Sequence, residues 1–287
     1  MESSDARNFN DAKHDRGEWN TTVLATRNRA VRLLADFLSY KRRGVDRLAA
    51  GASCKALALD AGAGTGAYSV WFAARSRCRV VSVDISFRAL QKASYAALRS
   101  SVRMLPVCAD LHALPFRPRQ FGTVFSVDTL GHVANVNMVL DELSRCAAPG
   151  AYLFLHSECG DYRRRWPDRE LIERLGRDVS AEEDGHGALV EARELFELYS
   201  RRFRLISFVN PAGFAGWCLG YPEKYRWAFA AAGMVGFARF LSLCAAIKAA
   251  PFFGIVVRLF NAVSNHVENF FGFSGGGSCF ALVKKPE

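Results

Sequence analysis

Leu57-Ala58-Leu59-Asp60-Ala61-Gly62-Ala63-Gly64-Thr65-Gly66 is the stretch on which the fold turns. A short apolar run ends in a carboxylate, and three glycines then alternate with small residues. From Gly66 to Arg75 the residues read as a helix. Glycine lets the backbone turn tightly between a strand and a helix and approach a ligand closely. The first N–H groups of the helix then face that ligand. Taken alone the glycines also satisfy a dinucleotide fingerprint, because Gly62, Gly64 and Ala67 fit G-x-G-x-x-A. Asp60 separates the readings, since a carboxylate at the end of the strand repels a pyrophosphate and favours a cationic group.

Outward from this turn, apolar runs and helical stretches alternate. Arg79–Asp84, Val102–Val107, Phe121–Val127 and Ala151–His156 read as strands, with helices over Phe87–Leu98 and Val136–Cys146. Such alternation specifies right-handed βαβ units and a parallel sheet. A helix over Glu191–Tyr199 precedes a sixth strand at Phe203–Val209, and Ser278–Lys284 reads as a seventh. The expected fold is α/β, a Rossmann-like, seven-stranded, mostly parallel sheet flanked by helices. An N-terminal helical segment (1–50) leads into the core (51–215). A helical insertion (216–274) separates strands six and seven, and the last core strand closes the chain (275–287).

Five segments in register carry a family resemblance. Asp60-Ala-Gly-Ala-Gly-Thr-Gly66 resembles motif I of the class I S-adenosylmethionine-dependent methyltransferases, and Val83-Asp84 follows at the end of the second strand. Cys108-Ala-Asp110-Leu111 with Leu114-Pro-Phe116 is similar to the segment that clasps adenine. Phe121–Val133 and Val139–Gly150 resemble the fourth-strand motif and the helix and turn before strand five. The resemblance runs over residues 56–156 and implies S-adenosylmethionine as cofactor and S-adenosylhomocysteine as product. The cofactor-binding residues it implies are Asp60, Gly62, Ala63, Gly64, Thr65 and Gly66, then Asp84 and Ile85, Asp110 and Leu111, and Asp128. Asp84 would hold the ribose hydroxyls, and Asp110 would accept from the adenine amine.

Methyl transfer from a sulfonium is an in-line displacement, in which much of the catalysis is alignment of the acceptor with the methyl group. A hydroxyl acceptor must also lose a proton. Ligands of open α/β sheets bind beyond the carboxyl ends of the strands, and the candidates there after strands four and five are His132, His156 and Glu158. His132 ranks first because imidazole titrates near neutrality. This chemistry requires no metal, and no His/Cys cluster has zinc-ligand spacing. The fourth strand continues Ser126-Val127-Asp128-Thr129, without the Asn/Asp-Pro-Pro-aromatic motif of base-modifying amino-methyltransferases. The expected reaction is therefore O-methylation of a small or lipid-like molecule. The alternatives are methylation of RNA or another macromolecule, and an inactive cofactor-binding module.

The 287 residues carry a formal charge of +10, yet the basic side chains are dispersed, the main cluster being Arg163-Arg164-Arg165. No basic stripe interleaved with aromatics marks a nucleic-acid groove. The eight cysteines form no C-x-x-C pair, and the first twenty residues lack the apolar core of a signal peptide. A cytoplasmic protein is expected. The insertion is nearly all apolar over 227–257, but its longest uncharged run, Trp227–Ala238, falls well short of the roughly twenty residues that span a bilayer. A cap over the site, a helix pair dipping into a membrane surface and a homodimer interface compete as readings of it.

Overall fold

The computed structural model describes residues 40–53, 55–186, 189–211, 222–249 and 274–287, with isolated positions 7, 8, 10–13, 256, 260, 263, 264, 267, 270 and 271. Most of the expected N-terminal helical segment before Tyr40, and residues 216–221 and most of 250–273 of the insertion, lie outside the described residues. Nine helices are described: α1 (Tyr40–Gly51), α2 (Ala67–Ser76), α3 (Phe87–Arg99), α4 (Val136–Cys146), α5 (Asp168–Leu175), α6 (Val179–Asp184), α7 (Ala192–Ser200), α8 (Pro222–Ala231) and α9 (Val235–Ala249). Seven strands, β1 (Leu57–Ala61), β2 (Arg79–Asp84), β3 (Met104–Cys108), β4 (Phe121–Ser126), β5 (Ala147–Glu158), β6 (Arg204–Val209) and β7 (Ser278–Lys284), form one sheet.

The strand order is β3-β2-β1-β4-β5-β7-β6. The first five strands pair parallel, while β7 runs antiparallel to both β5 and β6. Chain order reverses between β1 and β4, which is where an open α/β sheet leaves a crevice beyond its carboxyl ends. Register brings those ends level. Ala61 pairs with Val83, and Asp84 with Cys108.

Alternation along β1 divides the core between the two faces of the sheet. Leu59 and Ala61 join Val139, Leu143, Leu195 and Tyr199 under α4 and α7. Ala58 joins Val45, Leu48, Phe72, Phe125 and Phe154 under α1 and α2. Asp60 shares the parity of Ala58 and so faces α2. Helix starts follow local chemistry: Ser86 accepts from the Ala89 N–H at 3.0 Å to cap α3, and Asn135 accepts from the Met138 N–H at 3.1 Å to cap α4.

Residues 160–184 hold a 3₁₀ turn (Gly160–Arg164) and the two helices α5 and α6. These helices are the platform for α8 and α9. Tyr225, Ala228, Phe229, Met234, Ala238 and Leu241 form a third apolar cluster with Leu171 of α5 and Val179 of α6. The opposite side of α9 leaves Phe240, Leu243 and Ile247 exposed. No helix among the described residues is long and apolar enough to cross a membrane. Tyr225 donates its hydroxyl to Asp184 at 2.6 Å, joining α8 to α6. Tyr225→Phe should therefore lower stability by about 1–2 kcal/mol, read as a shift of the urea unfolding midpoint at unchanged slope. An unshifted midpoint would remove this bond from the account of how α8 is held.

Candidate functional site

The turn after β1 is built on left-handed backbone. Gly62, Gly64 and Gly66 have φ of 80°, 51° and 81°, a region that costs other residues roughly 1–2 kcal/mol. A Cβ at Gly62 would overlap the Thr129 side chain, and one at Gly66 would lie 2.7 Å from Cβ of Ala93. Glycine is thus required both for the turn and for close approach of β4's end and of α3. The Gly62 and Ala63 N–H groups both donate to the Val83 carbonyl at 2.8 Å, tying the turn to β2.

Asp84 closes the turn from the other side. Its carboxylate accepts from the Gly64 N–H at 2.7 Å and from the Ser86 N–H at 2.8 Å, so one side chain fixes both the glycine loop and the entry to α3. Ile85 is half-buried beside it. Asp110, beyond β3, accepts from the His112 N–H at 2.9 Å and meets His112 Nδ1 at 2.6 Å, and Leu111 is buried. Asp60 lies beneath the turn, 2 % exposed, and accepts from the Ser69 hydroxyl at 2.6 Å. Burial pushes its carboxyl up to about 7; the Ser69 bond opposes this and the nearby Asp84 charge adds to it.

A second group of side chains gathers beyond β4 and β5. Asp128 has a left-handed φ of 58°. Its carboxylate pairs with Lys41 of α1, and its N–H donates to His156 Nδ1 at 3.1 Å. Burial opposes the Asp128 charge, but Lys41 and His156 outweigh it and hold the carboxyl well below its usual range. His156 is fully buried and stacks on Phe280 with centroids 4.7 Å apart. Its Nε2 is shut from solvent and has no hydrogen-bond partner among the described residues. Burial, then the Asp128 charge, push Glu158 up to about 7.

His132, on the 3₁₀ turn Leu130–His132, brings its ring to 4.6 Å from that of His186, which follows α6. Burial and then the His132 neighbour hold His186 down at about 3, so its imidazole is neutral. Thr129 joins the two groups, donating its hydroxyl to the Gly62 carbonyl at 3.2 Å.

The candidate cofactor and catalytic residues lie in and beyond the carboxyl ends of the strands. Asp60 lies under the turn with Ser69, His156 and Glu158 come together with Asp128, and His132 meets Glu158 and His186. Lys41, His186 and the segment 10–13 escape sequence reasoning. Asp11 accepts from the Ser86 hydroxyl, and Lys13 donates to the Glu183 carbonyl at 2.9 Å, so this segment bridges the start of α3 to α6. Only Lys41 carried a signal, as part of the basic triplet Lys41-Arg42-Arg43. The arginine cluster is engaged within the chain: Arg163 with Asp178, Arg164 with Glu191, Arg165 with the Ser274 carbonyl.

Residues 59–155 match the family described as "Methyltransferase domain". A curated relative, the malonyl-[acyl-carrier protein] O-methyltransferase of Halorhodospira halophila (strain DSM 244 / SL1), is 41 % identical over 100 residues. That alignment spans 33 % of this chain and 33 % of the relative. Among solved structures, a putative sarcosine dimethylglycine methyltransferase from Galdieria sulphuraria is similar with a TM-score of 0.58 at 11 % identity, over 98 % of each chain. The geranyl diphosphate C-methyltransferase of Streptomyces coelicolor A3(2), solved with Mg2+, geranyl-S-thiolodiphosphate and S-adenosyl-L-homocysteine, is similar with a TM-score of 0.55 at 15 % identity. There 85 % of this chain and 75 % of the other are covered. At such identities these structures attest the fold.

Proposed function

We propose, from the premise that residues 59–155 belong to the class I S-adenosylmethionine-dependent methyltransferases, that this chain methylates a nucleophilic oxygen on a small or lipid-like molecule. S-adenosylmethionine is the cofactor of that family, and the site's own chemistry fits it. One observation carries the reading: the Asp84 carboxylate, at the end of β2, organises both the Gly64 and Ser86 amides while Asp110 stands at the end of the adjacent strand. Two carboxylates on neighbouring strand ends are acceptors suited to ribose hydroxyls and to the adenine amine.

When bound, the cofactor supplies an electrophilic methyl group on a sulfonium. The chain does the rest. The Gly62–Gly66 backbone holds the methionine end, with no Cβ to block close approach, and Asp84 and Asp110 orient the nucleoside. Asp60 supports the turn from below and sets a negative potential under it. His156 meets the Asp128 N–H at Nδ1 and, buried against Phe280, holds Asp128 in place rather than reaching an acceptor. His132 and Glu158 are the groups we assign to the acceptor side of the site. The third apolar cluster, which seats α8 and α9 on α5 and α6, supports the insertion as a cap beside this region, with an apolar acceptor as its natural guest. The O-methyltransferase relative and the missing amino-methyltransferase motif both favour oxygen.

Incubating the full chain with methyl-labelled S-adenosylmethionine against phenols, short acyl carboxylates and isoprenoid alcohols should give acceptor-dependent label transfer. In parallel, S-adenosylhomocysteine at a hundredfold excess over its dissociation constant should stabilise the fold by about 2.7 kcal/mol, and NAD should not. Stabilisation by NAD alone would overturn the reading.

A further inference from the structure

The side chains of His132, Glu158 and His186 each offer one ligand atom, and these atoms lie within 4.8 Å of one another. We propose that they form a metal site, a two-histidine, one-carboxylate set for a divalent first-row transition ion of the zinc class, with an open coordination position toward the acceptor.

Three observations converge. First, Glu158 Oε2 and His186 Nδ1 are shut from solvent and have no hydrogen-bond partner among the described residues. An unsatisfied buried polar atom costs roughly 1–3 kcal/mol, and a cation between the two would satisfy both at once. Second, the donors are of the right kind: imidazole and carboxylate together suit zinc and its first-row neighbours, and three protein ligands leave a position open, as catalytic rather than structural sites do. Third, the ligands rest on held backbone. His132 N–H donates to the Thr129 carbonyl at 2.9 Å and His186 N–H to the Ala181 carbonyl at 2.9 Å, while His132 Nδ1 lies 3.5 Å from the Gly185 carbonyl. Gly131 leaves the room: a Cβ there would lie 2.8 Å from Glu158 Oε2 and 3.3 Å from His186 Cδ2.

A second group, Asp128, His156 and Glu158, meets the same distance criterion. In it Asp128 is already paired with Lys41 and linked through its N–H to His156 Nδ1, whereas the His132–Glu158–His186 set brings together two buried atoms without partners among the described residues, on two different side chains. No spacing rule reveals it, because the three ligands lie 26 and 28 positions apart on a turn, a strand end and a helix end. On the reading of the chain as an O-methyltransferase, an ion there would bind the acceptor oxygen in its open position and polarise it.

The test uses the full chain, stripped with a chelator and titrated with Zn2+ and with Co2+ by calorimetry and visible absorption. Wild type should bind one equivalent of Zn2+ with a rise in melting temperature, and Co2+ should give d–d bands. His186→Ala, and His186→Gln should the alanine variant not fold, should weaken binding at least 100-fold and abolish the bands. Both should keep the stabilisation by S-adenosylhomocysteine, which also shows that they are folded. Equal ion binding by wild type and both His186 variants, or none by wild type, overturns the site. Failure of the methyltransferase reading would appear separately, as no response of wild type to S-adenosylhomocysteine.

Discussion

Asp84→Ala should weaken S-adenosylhomocysteine binding at least 100-fold and destabilise the unliganded fold by about 2–4 kcal/mol. The two effects share one cause. The carboxylate accepts from the Gly64 and Ser86 amides at 2.7 and 2.8 Å, and hydrogen bonds to a charged group contribute roughly 1.5–3 kcal/mol each. Without them the glycine turn and the first turn of α3 lose their common anchor. The proposed ribose contact disappears at the same time, and a 100-fold loss corresponds to about 2.8 kcal/mol. Asp84→Asn should fall between, because an amide oxygen can still accept from one N–H while its NH2 faces the other donor. Calorimetric titration gives the affinity and urea unfolding the stability. Binding by Asp84→Ala within threefold of wild type would remove Asp84 from the cofactor site, whatever the stability result.

Much of this architecture is legible in the sequence, and the reason is local. Between residues 55 and 156 each strand is a short, largely apolar run with a carboxylate or serine at or within two residues of its end, and each helix is long enough to show its period. The strand ends therefore mark Asp60, Asp84 and Asp110 as neighbours from the sequence alone. Boundaries shift where tertiary pairing decides. β5 extends from Ala147 to Glu158 because both ends find partners, Ala147 opposite Phe121 and Glu158 opposite Ser278. The second half of the site is illegible for the opposite reason. Lys41 reaches Asp128 across 87 positions, and His186 reaches His132 only because α6 ends where it does. The insertion hides its inner face for a compositional reason. α9 buries Ala238 and Leu241 but exposes Phe240 and Leu243, so apolar residues lie all around it and periodicity carries no contrast.

Asp60→Asn should stabilise the unliganded protein at pH 8 by up to about 4 kcal/mol and leave it nearly unchanged at pH 4. Asp60 is buried under the turn, and its carboxyl is raised to about 7 in the folded chain, against about 3.9 unfolded. Below pH 4 the group is protonated in both states and contributes nothing to the difference. Between pH 4 and 7 the unfolded chain releases this proton and the folded chain keeps it, so wild-type stability falls by about 1.4 kcal/mol per pH unit. Above pH 7 the loss is complete and constant. Asparagine does not titrate, and its oxygen can still accept from Ser69, so the mutant escapes the loss. Glu158 and Asp168 are raised in the same sense, but both are present in wild type and mutant, and the difference between the two curves isolates Asp60. Unfolding free energies at pH 5, 6, 7 and 8 should therefore diverge steadily up to pH 7 and then run parallel. A constant offset across that range, or a mutant less stable at pH 8, would mean that the Asp60 carboxyl is not raised in the unliganded fold. The same substitution carries a cost for ligand: the cationic methionine end favours an ionised carboxylate beneath the turn, so Asp60→Asn should bind S-adenosylmethionine more weakly even as the empty fold becomes more stable. Charge kept under the turn at the expense of stability is what a site built to receive a cation requires.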